Sequence, residues 1–596
     1  MTSTLSAVGS DRRAALCAGS VVSFVVAVRA LEAIRPALLL DTDPGWVPAR
    51  FLLWIGLLSA TAASGGLAAG LFFLWCRSRF APDAPQPLPF RRTTLYLLAV
   101  GALAAGALFR FAWLDTLPIP LWLDDVSLIS PTLALDGTWR DFANAIRPAP
   151  YGVAQPFGSV GVLYLEFYRL CLDLAGTTVF GVRLPSALAG VASVATAMLL
   201  GRAVLPRGGG ALAGLALAGM RWSLILSRWG WNAIVLAPVL DIAALILLAA
   251  RRRWSLALAA VAGVVAGIST HIYLASWVGS AALFLLALWP PAPEEGRPWR
   301  PALALAFAIG LLVAAAPIFF LKTGRTSPYF ARASDHNVVL EVRRARSILP
   351  LLGVAADALA APWFLPDPTP RHDLPGRSRL GWIVGSFVAV SFAFAILRPR
   401  RDLSAFLLAH AAAAFAATVV GGRATAPNGY RFGYLSDVAA VAAAGGALLL
   451  LAMVRAPRRR QAAAIALTGL LMVASFAGAR DAVIRWAGSR TTFDDFWGQD
   501  TLLARAAARW DLYGTVDLDP SLGQNPLTME GARQYRLDPW PEPLAVSREP
   551  RAETGRKFRI VAPGTPAGEG ERLVERVGDA WGREWGWIYG RRLEDF

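Results

Sequence analysis

The chain has 596 residues, of which 56% are hydrophobic and only 17% charged, and its mean hydropathy is +0.48. A soluble protein carries about 25% charged residues, so this balance excludes a soluble globular enzyme and points to the membrane. The net charge of +17 does not mark a nucleic-acid binder. The tail from Arg480 holds 17 basic and 19 acidic side chains, so the excess lies in short loops between apolar runs, where it sets topology.

In chain order, apolar runs near spanning length alternate with arginine-rich loops. Arg12 and Arg13 precede the first run, and no convincing small-residue cleavage site follows, so it reads as a span and not a removed signal. The rich loops are Arg77/Arg79/Arg91/Arg92, Arg202/Arg207, Arg251–Arg253, Arg297/Arg300, Arg398/Arg400/Arg401 and Arg455/Arg458–Arg460. Taken as cytoplasmic, they predict an all-α polytopic protein with about thirteen transmembrane helices. These fall at roughly 14–34, 50–75, 93–113, 183–201, 209–226, 233–250, 254–270, 274–289, 301–321, 381–397, 403–420, 435–454 and 461–479. The division is then 1–92 (two additional N-terminal helices), 93–479 (the membrane core) and 480–596 (a C-terminal domain). Phe157–Ala175 is apolar too, but a crossing there would move every later arginine cluster outside; it reads as an interfacial helix.

On this topology the outer face holds loops 114–182 and 322–380, several short turns and the tail. The first loop opens with Leu117-Pro-Ile-Pro-Leu-Trp-Leu-Asp-Asp125. Asp124 and Asp125 can act as general base on an acceptor, hold a divalent cation, or merely cap a helix end. The turn Ser227-Arg-Trp-Gly-Trp-Asn232 sets Arg228 among indoles, which suits a lipid-linked phosphate or an ordinary interfacial belt. The 322–380 loop is Pro-rich and too long for a simple connector; it carries Tyr329, and Arg371 and His372 within Pro370–Arg377. The turn Ala424–Arg431 places Arg431 at the start of the next span. Beyond Arg480 a helix over Thr501–Trp510 and strands at Thr515–Leu518 and Phe558–Ala562 predict a small α+β domain. Its Trp581, Trp585, Trp587 and Tyr589 read as sugar contacts or as core and interface aromatics. Three dispersed cysteines and four scattered histidines suggest neither a disulfide framework nor a zinc site.

The order of these motifs resembles the bacterial members of the protein O-mannosyltransferase-like family, which have the GT-C membrane fold and include the aminoarabinose transferase of lipid A. The resemblance rests on Leu121–Asp125 after a span, Phe180-Gly-Val-Arg-Leu-Pro-Ser186, Ser227-Arg-Trp-Gly, Pro370–Arg377 and Ala426–Arg431, and covers about 93–480. It implies a polyprenyl-phosphate-linked sugar donor, a glycan, lipid or protein acceptor, and an active site and tail domain outside the cytoplasmic membrane. Asp124 falls on the family's catalytic aspartate and Asp125 on the acid that follows it. Arg228, Arg371 and Arg431 become candidates for the donor phosphate, and Asn232, Gln155, Tyr329 and His372 for acceptor or sugar contacts. Asn232 and Gln155 are amides where relatives often carry acids, which leaves open a non-catalytic relative that binds the carrier lipid. A flippase or transporter is the other alternative, although no internal repeat is visible.

Overall fold

The computed structural model describes residues 85–591 apart from 119, 123–124, 127, 134, 136–161, 292–300, 322–337, 364–365, 368, 422–430, 512–514 and 523–556. It is an all-α polytopic membrane protein with a small β-containing C-terminal domain. Among the described residues six helices are long and apolar enough to cross a membrane: Arg92–Phe111, Val179–Val204, Asn232–Arg253, Asp402–Gly421, Leu435–Ala452 and Pro457–Trp486. A bent pair, Gly209–Ala218 with Arg221–Ser227, raises the number to at most seven.

The expectation of about thirteen spans is therefore corrected. Two of the expected helices, 14–34 and 50–75, lie outside the described residues. Four more, at Leu256–Ser269, Ser276–Leu288, Ala302–Ala316 and Gly381–Leu397, are apolar helices of 10–17 residues. At 1.5 Å per residue the 14-residue Leu256–Ser269 helix reaches about 21 Å, short of a hydrocarbon core of about 30 Å. Apolar runs continue through turns, as at Thr270–Ala275, so run length overstates helix length.

The bend has a visible cause. A Cβ on Gly219 would lie 2.0 Å from the Ser475 carbonyl oxygen, and one on Gly478 would lie 2.2 Å from the Gly219 oxygen. Backbones touch there, and the helix breaks over the contact. Arg110, fully buried, donates to the Ala218 oxygen freed by the break (3.1 Å) and to Ser223 and Ser227 on the far side (2.9 and 3.2 Å). Such partners make a broken helix tolerable inside an apolar bundle.

Leu435–Ala452 and Asn232–Arg253 form the centre of the bundle (83% and 72% buried), whereas Arg92–Phe111 and Pro457–Trp486 lie at its rim (22% and 28%). Leu256–Ser269 and Ala302–Leu321 are packed backbone to backbone: a Cβ on Gly263 would come within 2.0 Å of the Phe307 oxygen, and one on Gly310 within 2.0 Å of the Ala260 oxygen. Small residues at such contacts let membrane helices gain dispersion and weak polar contacts that larger ones forbid.

Five of the six arginine-rich loops meet at one end of the bundle. Leu88 N–H donates to the Arg207 oxygen, and Arg460 donates to Gln86 and the Pro87 oxygen. Arg252 bridges Ala203 and Asp402, while Arg251 donates to the Leu286 and Trp289 oxygens and Trp289 to that of Pro399. The sixth, Arg297/Arg300, lies outside the described residues.

The tail supplies a helix, Gly498–Trp510, and four strands: β1 (Thr515–Leu518), β2 (Lys557–Val561), β3 (Glu571–Gly578) and β4 (Glu584–Arg591). Their order is β1-β2-β4-β3, with β1 and β2 parallel and the other pairs antiparallel. Alternate residues Val516, Phe558, Ile560, Val577 and Ile588 turn to one face and bury against Leu503, Ala506 and Ala507 of the helix.

Candidate active site

At the end opposite the arginine loops, four stretches far apart in sequence come together around Trp122. The acidic loop supplies Trp122 and Asp125. The guanidinium of Arg371 lies 4.0 Å over the Trp122 ring, and the rings of Trp497 and Phe496 pack on it at 4.5 and 6.0 Å. Trp229 joins by contact with Phe496 (5.6 Å) and stacks on His372 (5.7 Å) and Trp231 (6.2 Å). The tryptophans of the 227–232 turn are thus a buried aromatic stack and not a lipid-facing belt.

The tail is bolted onto this cluster. Leu121 N–H donates to Thr501 Oγ1 (3.0 Å), Arg371 N–H to Asp495 Oδ2 (2.9 Å), and Trp486 Nε1–H to the Pro370 oxygen (2.8 Å). Helix termini and loops leave backbone groups without local partners, and here residues more than 100 positions away provide them.

Asp125 is 1% exposed. Its Oδ2 accepts from Trp122 N–H (2.9 Å), a reach back across one turn as in a capping box, and its carbonyl accepts from Tyr168 (3.0 Å). A Cβ on Gly230 would lie 2.7 Å from Oδ1, so only glycine lets the 227–232 turn come this close. Burial pushes this carboxyl up to about 6, against the opposing pull of Arg183 and of the Trp122 and Gly230 amides. The group is poised to change charge near neutrality.

Asp124, the expected base, lies outside the described residues, as do Gln155 and Tyr329. Arg371 belongs to the cluster; its side chain is 24% exposed, and its guanidinium lies 3.8 Å from Asp495. His372 is buried 3.5 Å from Asp367, and burial lowers its basicity despite that carboxylate. Asn232 is buried and donates to the Ile272 oxygen (2.7 Å), so its amide begins as a structural tie. Arg431 sits half-buried in the turn leading into Leu435–Ala452. Arg228 is fully buried, and its two terminal nitrogens are committed to the oxygens of Phe109, Arg110, Trp113 and Leu117 at 2.9–3.2 Å. Among the described residues no group of three or more His, Cys, Asp or Glu side chains stands together to hold a metal ion.

Beside the cluster opens a cavity of about 230 Å³. Arg221, Arg377, Arg379, Asp481 and Trp382 line it together with the apolar Ala216, Met220, Ala474 and Ala477 of the helices. Arg221 pairs with Asp373 (2.5 Å) and Asp481 (3.7 Å), and Arg379 with Asp367 (3.0 Å). Arg377 is exposed at the rim. The segment 371–373 separates cavity from cluster, with Arg371 turned to Trp122 and Asp373 to Arg221.

Sequence reasoning gave no role to Arg183, although it lies within the Phe180–Ser186 motif, and singled out none of Tyr168, Trp497 and Thr501. A detectable signal existed only for Arg183, an ionisable residue at the head of an apolar run. The contacts of the other three depend on tertiary packing.

No family model and no curated protein sequence matches the chain. Among solved structures it is similar to an oligosaccharyltransferase from Archaeoglobus fulgidus tethered to an acceptor peptide (16% identity over 78% of this chain, TM-score 0.44). The chain spans 61% of that protein's length. It is also similar to ArnT from Cupriavidus metallidurans in the apo state (14% identity, 84% of this chain and 98% of that one, TM-score 0.43). The same ArnT bound to undecaprenyl phosphate gives 12% identity, 84% and 99% coverage and a TM-score of 0.42.

Proposed function

We propose that the chain is a membrane glycosyltransferase that moves a sugar from a polyprenyl-phosphate-linked donor to an acceptor on the outer face of the cytoplasmic membrane. The observation that carries this reading is the convergence, at the bundle end away from the arginine loops, of an acidic loop, an aromatic cluster and Arg371. An amphipathic cavity lies alongside. Aromatic faces suit sugars, a carboxylate suits the acceptor's proton, and a cavity lined by both apolar side chains and guanidinium groups suits a lipid bearing a phosphate.

In this reading Asp124 takes the proton of the acceptor's hydroxyl or amine as that atom attacks the anomeric carbon. The bond from that carbon to the phosphate oxygen breaks, and the anomeric centre inverts. The phosphate is already a good leaving group, so no general acid is required; Arg371, Arg377 and Arg431 are the candidates to offset its charge. The loops 114–182 and 322–380 and the domain 480–596 face outward, because the opposite end carries the arginines.

The test is sugar transfer by the purified protein in nanodiscs supplied with polyprenyl-phosphate-linked sugars, together with lipid analysis of a deletion strain. Asp124→Asn should reduce transfer by about 10²–10⁴, the usual contribution of a general base, with donor binding retained. Wild-type turnover by that variant sinks the assignment of the base. Absence of any accumulated lipid-linked sugar in the deletion strain counts against the donor class.

A further inference from the structure

Two arginines hold the stretch that leads into the acidic pair. Between residues 109 and 120 the chain leaves a helix and runs through Pro118 and Pro120, which have no N–H with which to build a ladder or a helical turn. Seven of its carbonyls are nevertheless taken by two buried guanidinium groups. Arg228 takes four of them, from Phe109 to Leu117. Arg183 takes three more, donating to the oxygens of Leu114 (2.9 Å), Pro118 (2.7 Å) and Pro120 (2.8 Å). Both guanidinium groups are 0% exposed.

We propose that Arg183 and Arg228 are a paired carbonyl clamp that positions the acidic loop, and that neither binds substrate. This rests on the glycosyltransferase reading only for what the loop does; the clamp itself is a statement about the chain. The planar fork of a guanidinium can serve several carbonyls at fixed angles, which an ammonium cannot. The two arginines reach the loop from different elements, Arg183 from the first turns of Val179–Val204 and Arg228 from the turn after Arg221–Ser227. Each therefore ties the loop to a separate part of the bundle. Arg183 also supplies the positive charge that faces Asp125, beside Tyr168 and the Gly230 turn. A phosphate could reach Arg228 only if the loop were displaced.

The experiment compares Arg183→Lys and Arg228→Lys with wild type as full-length protein, lysine keeping the charge while losing the fork. Three readouts are taken: hydrogen exchange of peptides covering 112–126, binding of undecaprenyl phosphate as probe, and kcat against donor KM. A clamp predicts at least tenfold faster exchange in 112–126 with other peptides unchanged, probe affinity within threefold, and kcat down at least tenfold at constant KM. A phosphate ligand predicts the reverse for Arg228→Lys, weaker probe binding and raised KM with exchange unaltered, and that result overturns the proposal. Unchanged exchange in both variants overturns it as well. If the wild type transfers no sugar at all, the activity reading fails, and the exchange and probe measurements still decide the clamp.

Discussion

Asp125→Asn should make the protein more stable at neutral pH. The carboxyl is held at about 6 in the folded chain against an ordinary value of 3.8, and burial is the leading cause. For an acid raised in this way the folded state resists ionisation more than the unfolded state does. Below about pH 4 both states are protonated and the group contributes nothing. As pH rises from 4 to 6 the unfolded chain ionises first, and stability falls. Above pH 6 the loss levels off at roughly two pKa units, about 3 kcal/mol at 1.36 kcal/mol per unit. Asparagine keeps an oxygen to accept from Trp122 N–H and has no charge to bury. Its amide stands less favourably toward Arg183, which trims the gain. The assay is thermal unfolding of wild type and variant in one detergent from pH 4 to pH 8. The variant should match the wild type at pH 4 and lead it increasingly up to pH 6–7, with a smaller loss of transfer than Asp124→Asn causes. A difference between the two that does not change with pH would refute the reasoning, since it would mean that the carboxyl is not raised.

Three further outcomes follow from the packing. Gly230→Ala places a Cβ 2.7 Å from Asp125 Oδ1 and 2.9 Å from the Val182 oxygen; overpacking of this kind costs about 1–3 kcal/mol, read as a lower unfolding temperature together with altered transfer. Arg221→Leu strips the partner from Asp373, which is 1% exposed, and should cost about 3–5 kcal/mol. Adding Asp373→Asn should restore part of that loss, and a double variant no better than the single one would show that the pair is not what is lost. Gly263→Ala cannot be accommodated with the Phe307 oxygen 2.0 Å away, so the two helices must separate, at about 3 kcal/mol or more. Pulse proteolysis should find the 256–321 region cleaved first, whereas wild-type resistance there would discount the backbone contact.

What the sequence made legible was governed by rules acting over the whole chain. Arginine placement obeys one constraint for every loop, so six distant loops could be assigned to a common end before any contact was known, and hydrogen bonds among the described residues link five of them. Strand β1 and the end of the Gly498–Trp510 helix were readable because their apolar periods are local. Span number was not, because an apolar run carries no mark of where a helix turns: Leu256–Ser269 and Ser276–Leu288 read as full spans, and a turn of six residues with ordinary hydropathy shortens both. The bend at Gly219 was hidden for a related reason, since its cause is a carbonyl in Ser475, some 250 positions away.

The same distinction separates two arginines that looked alike. Arg228 and Arg371 both lie among aromatic residues at one end of the bundle, and the family resemblance makes both candidates for the donor phosphate. Their surroundings differ: the Arg371 side chain stays 24% exposed beside Trp122, and the buried Arg228 spends its terminal nitrogens on four backbone carbonyls. A cation buried in an apolar interior must be compensated at once by neighbouring dipoles, and the nearest uncompensated dipoles are those of a helix end running into prolines. Wherever an arginine in a membrane chain precedes or faces such a proline-broken helix end, backbone carbonyls compete with any ligand for it. Under the proposed function the ligand role would then pass to the arginine that packing leaves at the edge, Arg371, and the clamp would keep Arg228 for the loop.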